Sequence, residues 1–443
     1  MKSLIRLVDK LLRNYTPDPF VIAILLTVLT FALSISMTDS NPTEAIQAWG
    51  GGFWNLAAFT LKMAMILLGG FVVAKSPPVH RFLLKSIELI NTPTQAVLFC
   101  TFAAIVASWV NWGFGLVVGG VVALEVSRRI PTAPFRVLVA SSYSGFLVWH
   151  AGLSGSIPLA LNTATDKITE TVVGKTIPLS ETMFGSVNMI ALGSMIVLLP
   201  LVNWLMLKFV GEGDPLASNY VKSAKPVKEV VDHSENSKPI DWLENSILLS
   251  LLLGGMGVFY LVTLVSSGSF QLNLDSVMLI FFMAGLLLHG SPRAFVRSVE
   301  DAVPKIAPIL IQYPLYAGIM ALLVDTGLAS QVSELFVTWA NEDTLPLMTF
   351  YSAGLVNLFV PSGGGQWAVQ APVILPAVEQ LGADLNKTIV AVAWGDAWTN
   401  MLQPFWAVPL LSIAGMKIKD IIGLLMIVLL SSGAVLSLIF LFV

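Results

Sequence analysis

Nine apolar segments, each about long enough to cross the roughly 30 Å hydrocarbon core of a bilayer, recur near residues 18–37, 53–74, 135–161, 184–208, 244–266, 274–290, 306–325, 385–411 and 420–442. Backbone inside hydrocarbon has no water to bond, so each of these segments is expected to close its own hydrogen bonds as a helix. Two further apolar stretches, 94–127 and 344–380, are broken at their centres by glycine clusters and read as re-entrant hairpins. With 56% hydrophobic and 12% charged residues, against roughly 25% charged in soluble domains, the expected fold class is an all-α polytopic membrane protein.

The same composition removes several functions. The 24 basic residues nearly balance the 27 acidic ones, which gives no basis for a nucleic acid partner. Cys100 is the sole cysteine and excludes a disulfide within the chain or a Cys-built metal site. His80, His150, His233 and His289 show no ligand spacing, and no P-loop, Ser/His/Asp order or HExxH is present. A secondary transporter or channel without a cofactor is expected, and an enzyme ranks last.

Basic residues near span ends set orientation. Lys2, Arg6, Lys10 and Arg13 precede the first apolar run, and Pro17, Asp18 and Pro19 interrupt them before it, so an uncleaved first span with a cytoplasmic amino end is expected. If the two glycine-broken stretches do not cross, twenty Lys and Arg fall on the face of the amino terminus. Only Lys167, Lys175 and Lys387 fall on the other, and Lys62 sits inside a span with a scaffold ion pair as its expected role. A pair of full spans would return to the same side, so charge fixes parity without proving re-entrance. The expected organisation is an amphipathic cytoplasmic terminus at 1–16, a first membrane repeat at 17–210, a cytoplasmic linker at 211–243, a connecting helix at 244–266 and a second repeat at 267–443. The carboxyl end is then outside.

Self-comparison supports two repeats. Gly70 matches Gly318 and Thr101-Phe102 matches Thr349-Phe350, while Gly113, Gly115 and Gly145 match Gly363, Gly365 and Gly395, and Pro158 matches Pro409, at offsets drifting only from 248 to 251. An odd number of crossings between them inverts the second copy, so the two hairpin tips open from opposite sides and meet near the midplane.

The candidate site residues follow from that symmetry. At the tips stand Asn111, Gly113 and Gly115, and Ser362, Gly363, Gly364, Gly365 and Gln366; glycine there permits positive φ and close ligand approach, with close helix packing as the alternative. The segments 135–161 and 385–411 are expected to break at mid-membrane, exposing NH groups for an anion and CO groups for a cation. They add His150, Ser154 and Ser156, and Asp396, Thr399, Asn400 and Gln403. Asp396 in a span is expected to bind Na+, take a proton or pair with a buried base. His150 is a proton site, a substrate contact or a packing residue. Trp112, Trp367, Trp398 and Trp406 flank these positions and either wall a short apolar tail or pack. Little extra basic charge favours a small monocarboxylate over a dicarboxylate, and a passive anion channel remains the other class.

The stretches TPDPFVIAILLTVLTF, WGGGFWNLAAF, NWGFGLVVG, SGSIPL, AGLLLH, MTFYSAGLVNLFVPSGGGQWAVQAP, LGADL and QPFWAVPLLSIAG resemble the AtoE short-chain fatty acid transporter family over essentially the whole chain. That resemblance implies a bacterial inner-membrane carrier of acetoacetate, butyrate and related acids, and coupling of their uptake to H+ or Na+ is expected. It also implies membership of the ion-transporter superfamily, with paired hairpins and broken helices moving as an elevator, often in a homodimer. The segments 94–161 and 344–411 would form the mobile part.

Overall fold

The computed structural model describes residues 17–162, 176–210, 239–270, 274–361 and 363–443, and every regular element among them is helical. The amphipathic stretch 1–16, most of the linker 211–243 and Ser362 lie outside the described residues. The elements are α1 (Pro19–Met37), α2 (Pro42–Gly52), α3 (Ala57–Lys75), α4 (Pro77–Ile87), α5 (Pro93–Val110), α6 (Trp112–Arg129) and α7 (Phe135–Ser144). A 3₁₀ segment (Gly145–Ala151), α8 (Ser156–Leu161), α9 (Ser186–Val210), α10 (Pro239–Glu244), α11 (Ile247–Ser266) and α12 (Leu274–His289) follow. The rest are α13 (Pro292–Asp325), α14 (Leu328–Thr338), α15 (Leu345–Asn357), α16 (Gly363–Leu381), α17 (Leu385–Thr399), α18 (Pro404–Ala414) and α19 (Ile422–Phe442).

Local sequence sets the helix starts. Asp18-Pro19, Asn41-Pro42, Thr92-Pro93, Ser291-Pro292 and Gln403-Pro404 each place a side-chain acceptor at the cap, where it takes a backbone N–H of the first turn. Proline follows at the one position whose missing N–H costs nothing.

Five helices among the described residues are long and apolar enough to cross a membrane: Phe20–Met37, Pro93–Val110, Ser186–Val210, Ile240–Ser266 and Ile422–Phe442. Two bent pairs, Thr60–Lys75 with Pro77–Ile87 at 73° and Pro292–Pro304 with Ile309–Asp325 at 52°, raise the number to as many as seven. Nine were expected; segments 135–161 and 385–411 fall into shorter pieces at their polar breaks, α12 has only 16 residues, and Pro93–Val110, expected as one arm of a hairpin and not as a span, is long and apolar enough to cross. Helices α1 and α11 turn large apolar side chains outward, including Val28, Leu252 and Phe259. A contiguous apolar exterior of this kind suits lipid rather than water. Lys62, the basic group inside α3, pairs with Asp275 of α12 at 2.6 Å, and Arg128 pairs with Glu125 at the end of α6.

The core gathers α3, α5, α6, α7, the 3₁₀ segment, α9, α13, α15, α17, α18 and α19. Helices α5 and α6 fold back on each other through Asn111 alone, so tightly that a Cβ on Gly115 would overlap Ser108. Gly145 presses its α-carbon against Ala104 and Ile105, and Gly395 presses against Phe350, Ala353 and Gly354. No tip glycine has positive φ; among the described residues that conformation occurs at Gly268, Gly290, Gly327, Gly382 and Gly415. The expected turn-forming role of Gly113, Gly115 and Gly363 to Gly365 is therefore corrected. They lie in the first turns of α6 and α16, and where a neighbour is close they serve approach.

Gly395→Ala drives its new methyl into the backbone of α15. It should cost about 1–3 kcal/mol and lower the unfolding temperature, whereas Gly255→Ala, with nothing within 4 Å, should leave it unchanged or raise it.

Candidate substrate and coupling site

The 3₁₀ segment is the organising element. In a 3₁₀ helix side chains at i and i+3 eclipse, as Phe146 and Trp149 do at an interplanar angle of 9°, and Tyr143 in the last turn of α7 extends the stack into a ladder at 27°, with centroids 5.9 Å apart at each step. Trp149 stacks on His150 at 4.1 Å. Two hydrogen bonds fasten this ladder to the last turn of α17: Tyr143 Oη donates to Asn400 O at 2.7 Å, and His150 Nδ1 meets Asp396 Oδ2 at 2.9 Å. The two most telling titratable residues of the sequence, 246 positions apart, are thus in direct contact, with exposures of 1% and 0%.

The partners of His150 determine its tautomer. Ile157 N–H points at Nε2 at 3.2 Å, so Nε2 is an acceptor and Nδ1 carries the proton that is donated to Asp396. Ser156 Oγ lies 3.3 Å from the same Nε2. The order Ser156, His150, Asp396 has the connectivity of an acyl-transfer triad. The Ile157 N–H, however, already occupies the lone pair that would have to act as base.

Both hairpin tips converge on the loop after the ladder. Trp112 N donates to Ser154 Oγ at 2.9 Å, and Leu153 N donates to Trp109 O at 2.8 Å. From the other half, Gly363 sits so close to the imidazole that a Cβ there would lie 2.5 Å from both His150 Cε1 and Ser156 Oγ. Gly364 faces open space, and nothing within the tip crowds it. Asn111 is spent on capping: its Oδ1 accepts Gly113 N and Phe114 N, each at 3.0 Å.

The helix-end groups expected to hold ions are answered by side chains instead. Ile157 N goes to His150, Phe405 N to Gln403 Oε1 at 3.2 Å, Asn400 O to Tyr143, and Asp396 O to Asn357 Nδ2 at 2.8 Å. Helix α17 also runs unbroken through Gly395 and Asp396 to Thr399, which places the interruption at Asn400–Gln403. Gln403 Nε2 donates to Leu358 O at 2.9 Å, and its Oε1 accepts from Tyr316 at 3.3 Å, tying α13 to the second hairpin. Gln366 Nε2 donates to Ala353 O and Gln370 Oε1, both at 2.8 Å, inside that hairpin.

Asn357 was missed by the sequence reading, although a lone amide near the end of an apolar helix is a signal in a membrane protein. Its Nδ2 reaches Asp396 O, Thr399 Oγ1 at 2.9 Å and Asn400 Oδ1 at 2.8 Å. Tyr143 was missed as well. Of the four flanking tryptophans, Trp112 and Trp406 pack edge to face at 5.4 Å, and Trp406 lies 5.8 Å from Trp149. Trp398 bonds Leu429 O and packs on Phe350, and Trp367 is buried in a second apolar cluster. Among the described residues no group of three His, Cys, Asp or Glu is arranged to hold a metal.

Tyr143→Phe keeps the ladder but leaves Asn400 O buried without its donor. It should lower stability by about 1–2 kcal/mol, read as a lower unfolding temperature of the detergent-purified protein; an unchanged temperature would show the bond to be dispensable.

Sequence likeness to known proteins places this chain in a family. A protein of Escherichia coli (strain K12) with the provisional name short-chain fatty acid transporter is 40% identical over 435 residues, 97% of each chain. Its provisionally named counterpart in Haemophilus influenzae (strain ATCC 51907 / DSM 11121 / KW20 / Rd) is 37% identical over 435 residues, again 97% of each. The crystal structure of the Alcanivorax borkumensis YdaH transporter, whose topology is described as unusual, aligns over 95% of this chain and 98% of its own with a TM-score of 0.47 and 16% identity. The model of the short chain fatty acid transporter family matches residues 1–443. This chain belongs to that family, as a multi-pass membrane transporter and not an enzyme.

Proposed function

We propose that the chain is a secondary active carrier of short-chain monocarboxylates such as butyrate and acetoacetate, driven by H+, in the inner membrane of a bacterium. The family and its relatives' names support the substrate class. The observation that carries the coupling is the fully buried contact between His150 and Asp396, made where both hairpin tips meet the interrupted helices. An intramembrane carboxyl in contact with a titratable partner is the arrangement that proton relays use. A Na+ site of the usual kind draws on unwound backbone carbonyls; here Asp396 O and Asn400 O already accept from Asn357 and Tyr143, which favours H+.

In this reading the two halves are inverted repeats, with 94–127 and 344–380 as re-entrant hairpins. The amino end is cytoplasmic, the carboxyl end lies outside, and the carrier is a homodimer working by elevator-type alternating access. The matching contacts of Gly145 with Ala104 and of Gly395 with Gly354, both related by an offset of 250, support the repeat.

Uptake of labelled butyrate into proteoliposomes, corrected for protein-free liposomes, should be driven by an imposed pH gradient and indifferent to a Na+ gradient. Asp396→Asn should abolish gradient-driven accumulation while the protein stays folded. Accumulation by that variant at the wild-type level would reduce Asp396 to a structural role, and unitary currents without counterflow would replace the carrier with a channel.

A further inference from the structure

Beside the His150–Asp396 contact, three buried polar atoms have no partner among the described residues: Asp396 Oδ1, Asn400 Nδ2 and Asn357 Oδ1. They belong to one cluster. Asp396 and Asn400 are a helical turn apart on one face of α17, and Asn357 touches both residues. The network fixes which amide ends are left over. Asp396 O is an obligate acceptor, so Nδ2 of Asn357 must face it and Oδ1 is left. The two hydrogens of that same Nδ2 are shared among Asp396 O, Thr399 Oγ1 and Asn400 Oδ1; an amide nitrogen of Asn400 facing it would set donor against donor, so Asn400 Oδ1 faces it and Asn400 Nδ2 is left. Asp396 Oδ2 is taken by His150. His150 and Tyr143 are the titratable groups that neighbouring elements bring to this cluster through hydrogen bonds.

What remains is one donor group and two acceptors, and buried polar atoms left unanswered are costly enough to expect an occupant. A carboxylate facing an ionised Asp396 does not fit this set: it accepts only, and its oxygens would face the lone pairs of Asp396 and Asn357; a carboxylate facing a protonated Asp396 is the same pair with the shared proton drawn on the other oxygen. A Na+ ion does not fit either, because Asn400 turns N–H toward it. A carboxylic acid matches the set, with an O–H to offer Asp396 Oδ1 and a C=O to accept from Asn400 Nδ2. Resting on the monocarboxylate reading above, we infer that the substrate is bound and carried here as the neutral acid. The proton that converts RCOO⁻ to RCOOH comes from solution and is held between substrate and Asp396, so each turnover moves one substrate and one proton. The stack of Phe146 and Trp149 with Trp406 beside it supplies an apolar wall close to this cluster for a short tail.

The test is calorimetry of butyrate binding to the purified full-length protein near neutral pH, in two buffers of different ionisation enthalpy. About one proton should be taken up per butyrate bound, falling to about zero in Asp396→Asn, whose amide offers its own N–H to the carboxylate. Butyramide, a neutral isostere with the same donor and acceptor, should displace butyrate from the wild-type protein at concentrations within about tenfold of butyrate itself. Saturable butyrate binding without proton uptake, or uptake undiminished in Asp396→Asn, or no displacement by butyramide, each overturns the neutral-acid inference and leaves the monocarboxylate reading standing. Absence of saturable butyrate binding overturns both.

Discussion

The structure turns on a buried acid and base held in direct contact, Asp396 and His150. Asp396 and His150 are sealed from solvent, where an ionised carboxylate without compensation costs several kcal/mol. Their mutual hydrogen bond is therefore a condition on everything nearby. The 3₁₀ segment has to bring the imidazole to α17, the loop after it has to turn Ile157 N–H back onto Nε2, and the second hairpin has to end in a residue without a side chain. Gly363 meets that last condition, since any Cβ there would collide with the ring.

Hydrogen bonding also explains why the interruptions of the two polar segments do not behave as bare helix ends. An open helix terminus inside an apolar interior would leave several unpaired N–H and C=O groups, each costly. Here His150, Gln403, Tyr143 and Asn357 supply the missing partners. The helix ends are thereby stable without a ligand, and the unanswered valences are displaced from backbone to side chains, where they are more selective. A backbone carbonyl presents the same face to any cation, whereas the side chains of Asp396, Asn400 and Asn357 together define a pattern of donors and acceptors.

Much of the layout was legible in the sequence, and the physical reasons for success and failure are distinct. Element boundaries followed from apolar length and Pro-containing caps, so 94–127, 344–380 and 135–161 coincide closely with α5–α6, α15–α16 and α7–α8. Asp396 and His150 stood out because charge is expensive in hydrocarbon. Their contact was not legible, because it depends on how two segments 246 residues apart pack, and no local periodicity encodes that. Of the two roles the sequence offers the tip glycines, positive φ is not used and close packing is; only the neighbours Ser108, Ile66 and His150 decide between them. Tyr143 and Asn357 escaped notice because each looks like an ordinary helical residue until its partner on another element is known.

The ladder of Tyr143, Phe146 and Trp149 makes the stretch between its two anchoring bonds a gauge of fixed pitch. Three residues of 3₁₀ helix complete a turn, whereas three residues of α-helix fall short by about 60°. Rewinding Gly145–Ala151 as an α-helix would turn Trp149 away from Phe146 and carry His150 off Asp396 even with every residue retained. Inserting or deleting a single residue between Tyr143 and His150 would do the same in one step. In related chains, length should therefore be more stringently kept across these eight positions than the identity of the rings themselves.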